Sequence, residues 1–70
     1  MSLLDARNGH EYIITQINTG DPALDSFLFS LGCYSGEPIT VVSRKKNSCT
    51  GSIKDGRYNI DSELAGAIMI

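Results

Sequence analysis

The sequence predicts a mainly β protein with five short strands and one short α-helix between the first and second strands. Three observations lead to this fold class. The chain has 70 residues, enough for one domain with a modest core. Its β-branched segments are short and are separated by glycine- and asparagine-containing turns. Only one stretch of useful length has apolar residues at helical spacing.

The helix is predicted from Pro22 to Leu31. Asp21 is suited to cap its amino end, and proline is favoured at the first helical position. Gly32 follows at the position where a helix commonly ends in a left-handed residue. One face carries an apolar stripe, predicted to face the core, made of Leu24, Phe27, Leu28 and Leu31.

The first strand is predicted from His10 to Asn18, where isoleucine and tyrosine favour extended backbone. Its alternation is imperfect, because Ile14 and Ile17 have opposite parity. A bulge near Thr15 or Gln16 would bring both side chains to the same face.

The remaining strands follow in the second half of the chain. The second runs from Glu37 to Lys45, with Ile39 and Val41 pointing inward. The later elements are a third strand at Cys49–Lys54, a type I′ turn at Asp55–Gly56, a fourth strand at Arg57–Ile60, a helical turn at Asp61–Gly66 and a last strand at Ala67–Ile70. Either Asp61 or Ser62 is suited to cap the helical turn. Gly36 and Gly51 lie where a small sheet would bend, and curling removes exposed edges. The sequence therefore predicts a small five-stranded SH3-like β-barrel with the helix closing one end.

Composition and charge exclude several classes of protein. A formal net charge of −2 argues against broad contact with nucleic acid, which relies on many basic side chains. No apolar run approaches the length of a membrane span, so we expect no membrane insertion. The start, Met1–Asp5, lacks the basic and apolar regions of a signal peptide, which predicts a cytoplasmic protein.

The order of elements resembles the FeoA family. The residues that carry the resemblance are Leu31-Gly32-x-x-x-Gly36-x-x-Ile39-x-Val41 after the helix, then a hairpin, Ile60, Ala65 and a terminal Ile68-x-Ile70. The similarity covers Leu3–Ile70, which implies a stand-alone, single FeoA-type SH3-like domain over residues 1–70. Members are small cytoplasmic accessory proteins of bacterial ferrous iron transport and are not known to be enzymes. They are thought to act beside FeoB, a membrane transporter with a cytoplasmic GTP-binding part.

Two positions depart from the family pattern. Phe27 stands where the family helix usually carries an arginine, and Ser35 stands where a proline is frequent. If that arginine contacts the partner, this chain lacks the contact or supplies it elsewhere. The same domain type also occurs at the carboxyl end of iron-dependent repressors, whereas here we expect a domain without a DNA-binding region.

The sequence offers no pre-spaced metal or catalytic residues. His10 is the only histidine, and Cys33 and Cys49 are too far apart for a Cys-x-x-Cys site, which predicts two reduced thiols. We therefore expect no cofactor, no metal ligand and no catalytic residue. The alternative is that the domain binds ferrous iron or a small ligand itself, as a sensor or carrier. Iron retained through these three residues after anaerobic purification would favour that alternative.

The favoured function is that of an adaptor that docks on the transporter. Phe29 lies about 140° around the helix from Leu24, away from the apolar stripe. Ile13, Val42 and Met69 also have outward parity in their strands. The one basic run, Arg44, Lys45 and Lys46, is either a solvated hairpin tip or a contact to an acidic partner surface. We expect the helix and its flanking strand surface to serve docking on the transporter or self-association.

Overall fold

All 70 residues are described by a computed structural model of the chain. It contains six strands, two α-helices and one 3-10 helix. In chain order these are the 3-10 helix Leu3–Asp5, β1 Glu11–Ile13, β2 Gln16–Ile17, α1 Pro22–Ser30, β3 Pro38–Arg44, β4 Ser48–Ile53, β5 Gly56–Asp61, α2 Ser62–Ala67 and β6 Ile68–Met69. Neither α-helix has the length and apolar character needed to cross a membrane.

The strands form two antiparallel sheets. One has four strands in the order β1-β3-β4-β5, and the other pairs β2 with β6. The mainly β class is confirmed, but the predicted closed five-stranded barrel is wrong. The sheets remain separate, and a second α-helix lies between β5 and β6.

The predicted first strand, His10–Asn18, is divided between the two sheets. Ile14 donates its N–H to the carbonyl of Glu37 at 2.9 Å, on the β3 side. Thr15 donates its N–H to the carbonyl of Met69 at 2.8 Å, on the β6 side. The backbone therefore changes hydrogen-bonding partner between two consecutive residues, and no bulge is needed to bury Ile14 and to pack Ile17 against the core.

The core lies between the inner face of the larger sheet and the elements around it. Ile39 and Val41 point inward as predicted, each at most 1% exposed. The twelve core residues are Leu3, Ala6, Ile14, Leu28, Cys33, Ile39, Val41, Cys49, Ile53, Ile60, Ala65 and Ile68. Gly51 is buried opposite Val41, where a Cβ atom would lie 2.9 Å from Ile60 Cδ1. Packing therefore requires a glycine there, and the irregularity in pairing falls in β3, between Val41 and Ser43.

Helix α1 begins and ends as its sequence predicts. The Asp21 carboxylate accepts hydrogen bonds from the N–H groups of Ala23 and Leu24. At the other end, Cys33 donates its N–H to the Leu28 carbonyl at 2.9 Å, and Gly32 donates to the Phe29 carbonyl at 3.0 Å. These two bonds define a Schellman motif, with Gly32 at φ +91°.

The hairpin between β4 and β5 turns one residue earlier than predicted. Ile53 pairs with Gly56, so the two turn residues are Lys54 and Asp55. Lys54 has φ +53° and Asp55 does not have a positive φ, whereas a type I′ turn needs positive φ at both positions. Gly56 instead belongs to β5, where the Tyr58 side chain occupies the space a Cβ atom would take.

The chain ends with a short helix and a short strand. Of the two predicted caps, Asp61 caps α2, and its carboxylate accepts the N–H of Leu64 at 2.7 Å. The helix is somewhat longer than the predicted turn and continues to Ala67. β6 is correspondingly shorter than predicted, and it pairs with β2.

Replacement of Gly32 by alanine should destabilise the protein by about 1–2 kcal/mol, because L-residues pay this cost for left-handed backbone. Gly36→Ala is the matched control, since Gly36 has φ +92° but open space around its Cα. A Cβ atom on residue 32 would also come within 2.6 Å of the Lys54 Cε atom. Urea unfolding should therefore show a larger loss of unfolding free energy for Gly32→Ala than for Gly36→Ala. Equal losses, or a larger loss for Gly36→Ala, would contradict the close packing of Lys54 on Gly32.

Candidate functional site

Two stacked aromatic rings lie on the outer side of α1. Phe29 is 63% exposed, which confirms that it faces away from the core. The Schellman turn at Gly32 reverses the chain, and the Tyr34 ring then stacks on Phe29 with centroids 4.6 Å apart and an interplanar angle of 29°. Stacking holds both rings in place although Phe29 is largely in solvent.

A charged pair adjoins the stacked rings. The Lys54 ammonium lies 5.9 Å from the centroid of the Tyr34 ring and 3.3 Å from a carboxylate oxygen of Glu37. Because these groups are partly exposed, the ion pair adds little stability, but it fixes a polar border beside the rings. We call Phe29, Tyr34, Lys54 and Glu37 the aromatic corner.

Ile13 belongs to the same end of the molecule. It pairs with Pro38, the residue after Glu37, and it is 52% exposed. The Glu37 carbonyl accepts the N–H of Ile14 at 2.9 Å, so the backbone of β1 lies against the base of the aromatic corner. Phe29 and Ile13, both predicted as partner-contacting residues, thus lie at one end of β3.

The other predicted contact residues lie at the opposite end of β3. Val42 is half-buried at the irregularity in β3, and Lys45 and Lys46 are exposed in the β3–β4 turn. Seven residues of extended strand span about 20 Å, so the structure separates the predicted residues into two groups. Met69, in β6, is half-buried.

Arg44 has partners within its own chain. Its Nη2 atom donates to the carbonyls of Leu3 at 3.0 Å and Ala6 at 2.9 Å. The guanidinium group thereby ties the end of the 3-10 helix to the end of β3. Arg44 accordingly differs from its neighbours Lys45 and Lys46, whose side chains have no hydrogen-bonding partner in the chain.

A small apolar cavity separates α1 from β5. It has a volume of about 180 Å³, and its walls include Leu31, Tyr58 and Leu64. Phe27 lies at its rim and is 58% exposed, so the prediction that Phe27 faces the core is wrong. Phe27 lies about 100° around the helix from Leu28, the most buried residue of α1, and therefore reaches only the margin of the core.

A second hollow of about 320 Å³ is open and more polar. It lies where α1 approaches α2 and is bordered by Thr19, Leu24, Asp61, Glu63, Leu64 and Ala67. Asp61 already caps α2, and Thr19 is hydrogen-bonded to Asp25. Two of its three polar side chains, those of Asp61 and Thr19, therefore already hold the amino ends of the two helices.

The three residues considered as metal ligands differ in their exposure to solvent. His10 is exposed before β1, whereas Cys33 and Cys49 are buried free thiols. Burial raises the pKa of Cys33 to about 11. Burial also raises the pKa of Cys49, an effect that the positive charge of Arg44 opposes. Nowhere does the structure group three or more His, Cys, Asp or Glu side chains in a position to hold a metal ion.

Of the four residues of the aromatic corner, the sequence predicted only Phe29, together with the adjoining Ile13. Phe29 could be identified because its helical angle places it outside the apolar stripe. Tyr34, Glu37 and Lys54 carry no periodic signal, because the first two lie in the connection between α1 and β3 and the third in the β4–β5 turn. The usable signal was Gly32, since a Schellman ending returns the chain along the helix and brings the following residues beside its last turn.

The comparisons with known proteins agree with this architecture. A family model described as "FeoA domain" matches residues 1–70, the whole chain. A solved structure described as "Manganese-dependent transcriptional repressor" superimposes with a TM-score of 0.84 at 21% sequence identity. That match covers 97% of this chain but only 39% of the repressor chain, and it supports the fold alone. No curated protein matches.

Replacement of Arg44 by alanine should lower the free energy of unfolding by about 1–3 kcal/mol, because the partly buried carbonyls of Leu3 and Ala6 lose a charged donor. Lys46→Ala, which removes an exposed charge nearby, should change it by less than about 0.5 kcal/mol. Equilibrium denaturation of both variants measures these two changes in unfolding free energy. Equal stabilities would show that Arg44 does not hold the 3-10 helix.

The protein should lose stability as the pH rises from about 8.5 to 11. An unfolded thiol ionises near about 8.5, whereas folded Cys33 keeps its proton to about 11, so the unfolded chain binds fewer protons in this range. The contribution is complete below about pH 8.5 and decreases by an amount on the order of 3 kcal/mol by pH 11.

The matched variant for this measurement is Cys33→Ala, which removes the titrating group. Its unfolding free energy should depend less steeply on pH than that of the unmodified protein. Parallel pH profiles would mean that the Cys33 thiol is not protected by burial.

Proposed function

Because this chain belongs to the FeoA family, we propose that it is a non-catalytic accessory protein of ferrous iron uptake that docks on a FeoB-type transporter. The observation that carries the proposal is the family match over all 70 residues. We also assign its two sheets to an open variant of the SH3-like arrangement. The contact is with the cytoplasmic GTP-binding part of the transporter, which makes this a cytoplasmic protein.

The aromatic corner, together with Ile13, is the docking surface. Aromatic side chains in the centre of an interface supply much of the binding free energy, and polar groups around them exclude water. Phe29 and Tyr34 are already stacked, so binding immobilises little additional side-chain freedom. Lys54 and Glu37 supply the polar border on one side.

The mechanism is a coupling between two binding equilibria, in which the adaptor and the nucleotide bind to the same transporter. An adaptor that binds one conformation of the transporter more tightly increases the population of that conformation. By the reciprocity of linked equilibria, nucleotide and adaptor change each other's affinity by the same factor. A titration of the intact transporter with this protein, in GDP and in a GTP analogue, measures that factor directly.

Phe29→Asp should weaken binding to the transporter by at least about 30-fold, because loss of an aromatic anchor costs about 2 kcal/mol or more. The unfolding temperature should hardly change, since the side chain is 63% exposed. Binding is measured by titration against the cognate transporter, and folding by circular dichroism.

Phe27→Asp is the matched control for this experiment. It makes the same chemical change at a similarly exposed residue of α1, about 160° away around the helix. Binding by Phe27→Asp should stay within a few-fold of the unmodified protein. A loss confined to Phe27→Asp would place the docking surface at the apolar cavity and would contradict the assignment to the aromatic corner.

A further inference from the structure

β5 leaves one long edge of the four-stranded sheet open. It is the last strand of that sheet, six residues long, and it pairs only with β4. The opposite edge strand, β1, has three residues. Long unpaired edges are templates for a further strand, and proteins usually shorten or cover them.

The direction of the free backbone groups follows from the β4–β5 ladder. Ser62 donates its N–H to the Asn47 carbonyl at 2.9 Å, which makes that pair a hydrogen-bonded one. Because hydrogen-bonded and non-hydrogen-bonded pairs alternate, Arg57, Asn59 and Asp61 direct their N–H and C=O groups away from β4. No backbone hydrogen bond outside the sheets uses Arg57 or Asn59.

The charges along the β5 edge are complementary to those of a second, antiparallel copy of the same edge. Arg57 and Asp61 are exposed, and they lie two residues on either side of Asn59. Consider two antiparallel copies of β5 that are related by a two-fold axis through Asn59. Arg57 of each copy then lies opposite the partner subunit's Asp61, so the pair forms once on each side of the axis. Centring the pair on Arg57 or on Asp61 instead would oppose like charges, so the charges select one register.

We propose that a second copy of this chain pairs with the first along β5, antiparallel and centred on Asn59. The two four-stranded sheets then become one continuous sheet. The two copies exchange about four backbone hydrogen bonds across the axis, because the Asp61 carbonyl, as the N-cap of α2, already accepts the first bond of that helix. Tyr58, half-buried beside the rim of the apolar cavity, lies next to the axis and becomes covered. This self-association goes beyond docking on the transporter and uses none of the side chains of the aromatic corner.

Cross-linking tests the register. In a hydrogen-bonded antiparallel pair the two Cα atoms lie about 5.5 Å apart, within the range of a disulfide. Asn59→Cys should therefore give a disulfide-linked dimer under mild oxidation. Asn8→Cys, on an exposed turn far along the chain, should not do so under the same conditions. Cys33 and Cys49 are buried and should not interfere.

Sedimentation equilibrium tests the charge pairing. The unmodified protein should be dimeric, and Arg57→Asp should weaken the dimer at least about tenfold, because it places like charges opposite each other. Lys46→Asp makes the same change of charge away from the edge and should leave the dimer intact. An unmodified protein that stays monomeric, an Asn59→Cys variant that cross-links no faster than Asn8→Cys, or equal weakening by the two charge variants would each overturn the proposal.

Discussion

The arrangement of the whole molecule depends on the backbone at Ile14 and Thr15. Ile14 is fully buried, donates to the Glu37 carbonyl and accepts from the Gly36 N–H at 2.7 Å. Thr15 donates to Met69 instead, and Asn18 continues that pairing with Ala67. Buried backbone groups must find partners, so this change of partner divides the chain into two sheets and brings the carboxyl terminus beside the amino-terminal half.

The end of α1 has a comparable effect on the surface. The Schellman bonds at Gly32 place Cys33 in the core and leave the following residue beside the helix. Tyr34 can then stack on Phe29, and Lys54 can lie along Gly32, where no Cβ atom intervenes. One residue with positive φ therefore both ends the helix and builds the aromatic corner, and the exposed rings are held by backbone geometry rather than by burial.

The parts of the fold that depend on interactions between residues near in sequence could be predicted. Caps at Asp21 and Asp61 and the ending at Gly32 depend on neighbouring residues, and all three agree with the structure. The division of the first strand depends on which distant strands pair with it, and no local pattern encodes that choice. Phe27 shows a similar limit of prediction. Helical spacing predicts which side of α1 is apolar, but it does not predict how much of that side the core covers. The role of Arg44 depends on a contact across 41 residues of sequence.

The two surfaces use different parts of the chain, which has a consequence for binding. The proposed self-association employs the backbone edge of β5, whereas the proposed docking employs side chains of α1, of β1 and of the turns that follow α1 and β4. A dimer paired through β5 therefore carries two aromatic corners related by a two-fold axis. If one corner docks on a transporter as proposed, the second is held at a high effective concentration near a neighbouring transporter molecule. Modest affinity at each corner can then give stable attachment to a transporter assembly, and loss of the edge pairing weakens attachment without altering either corner.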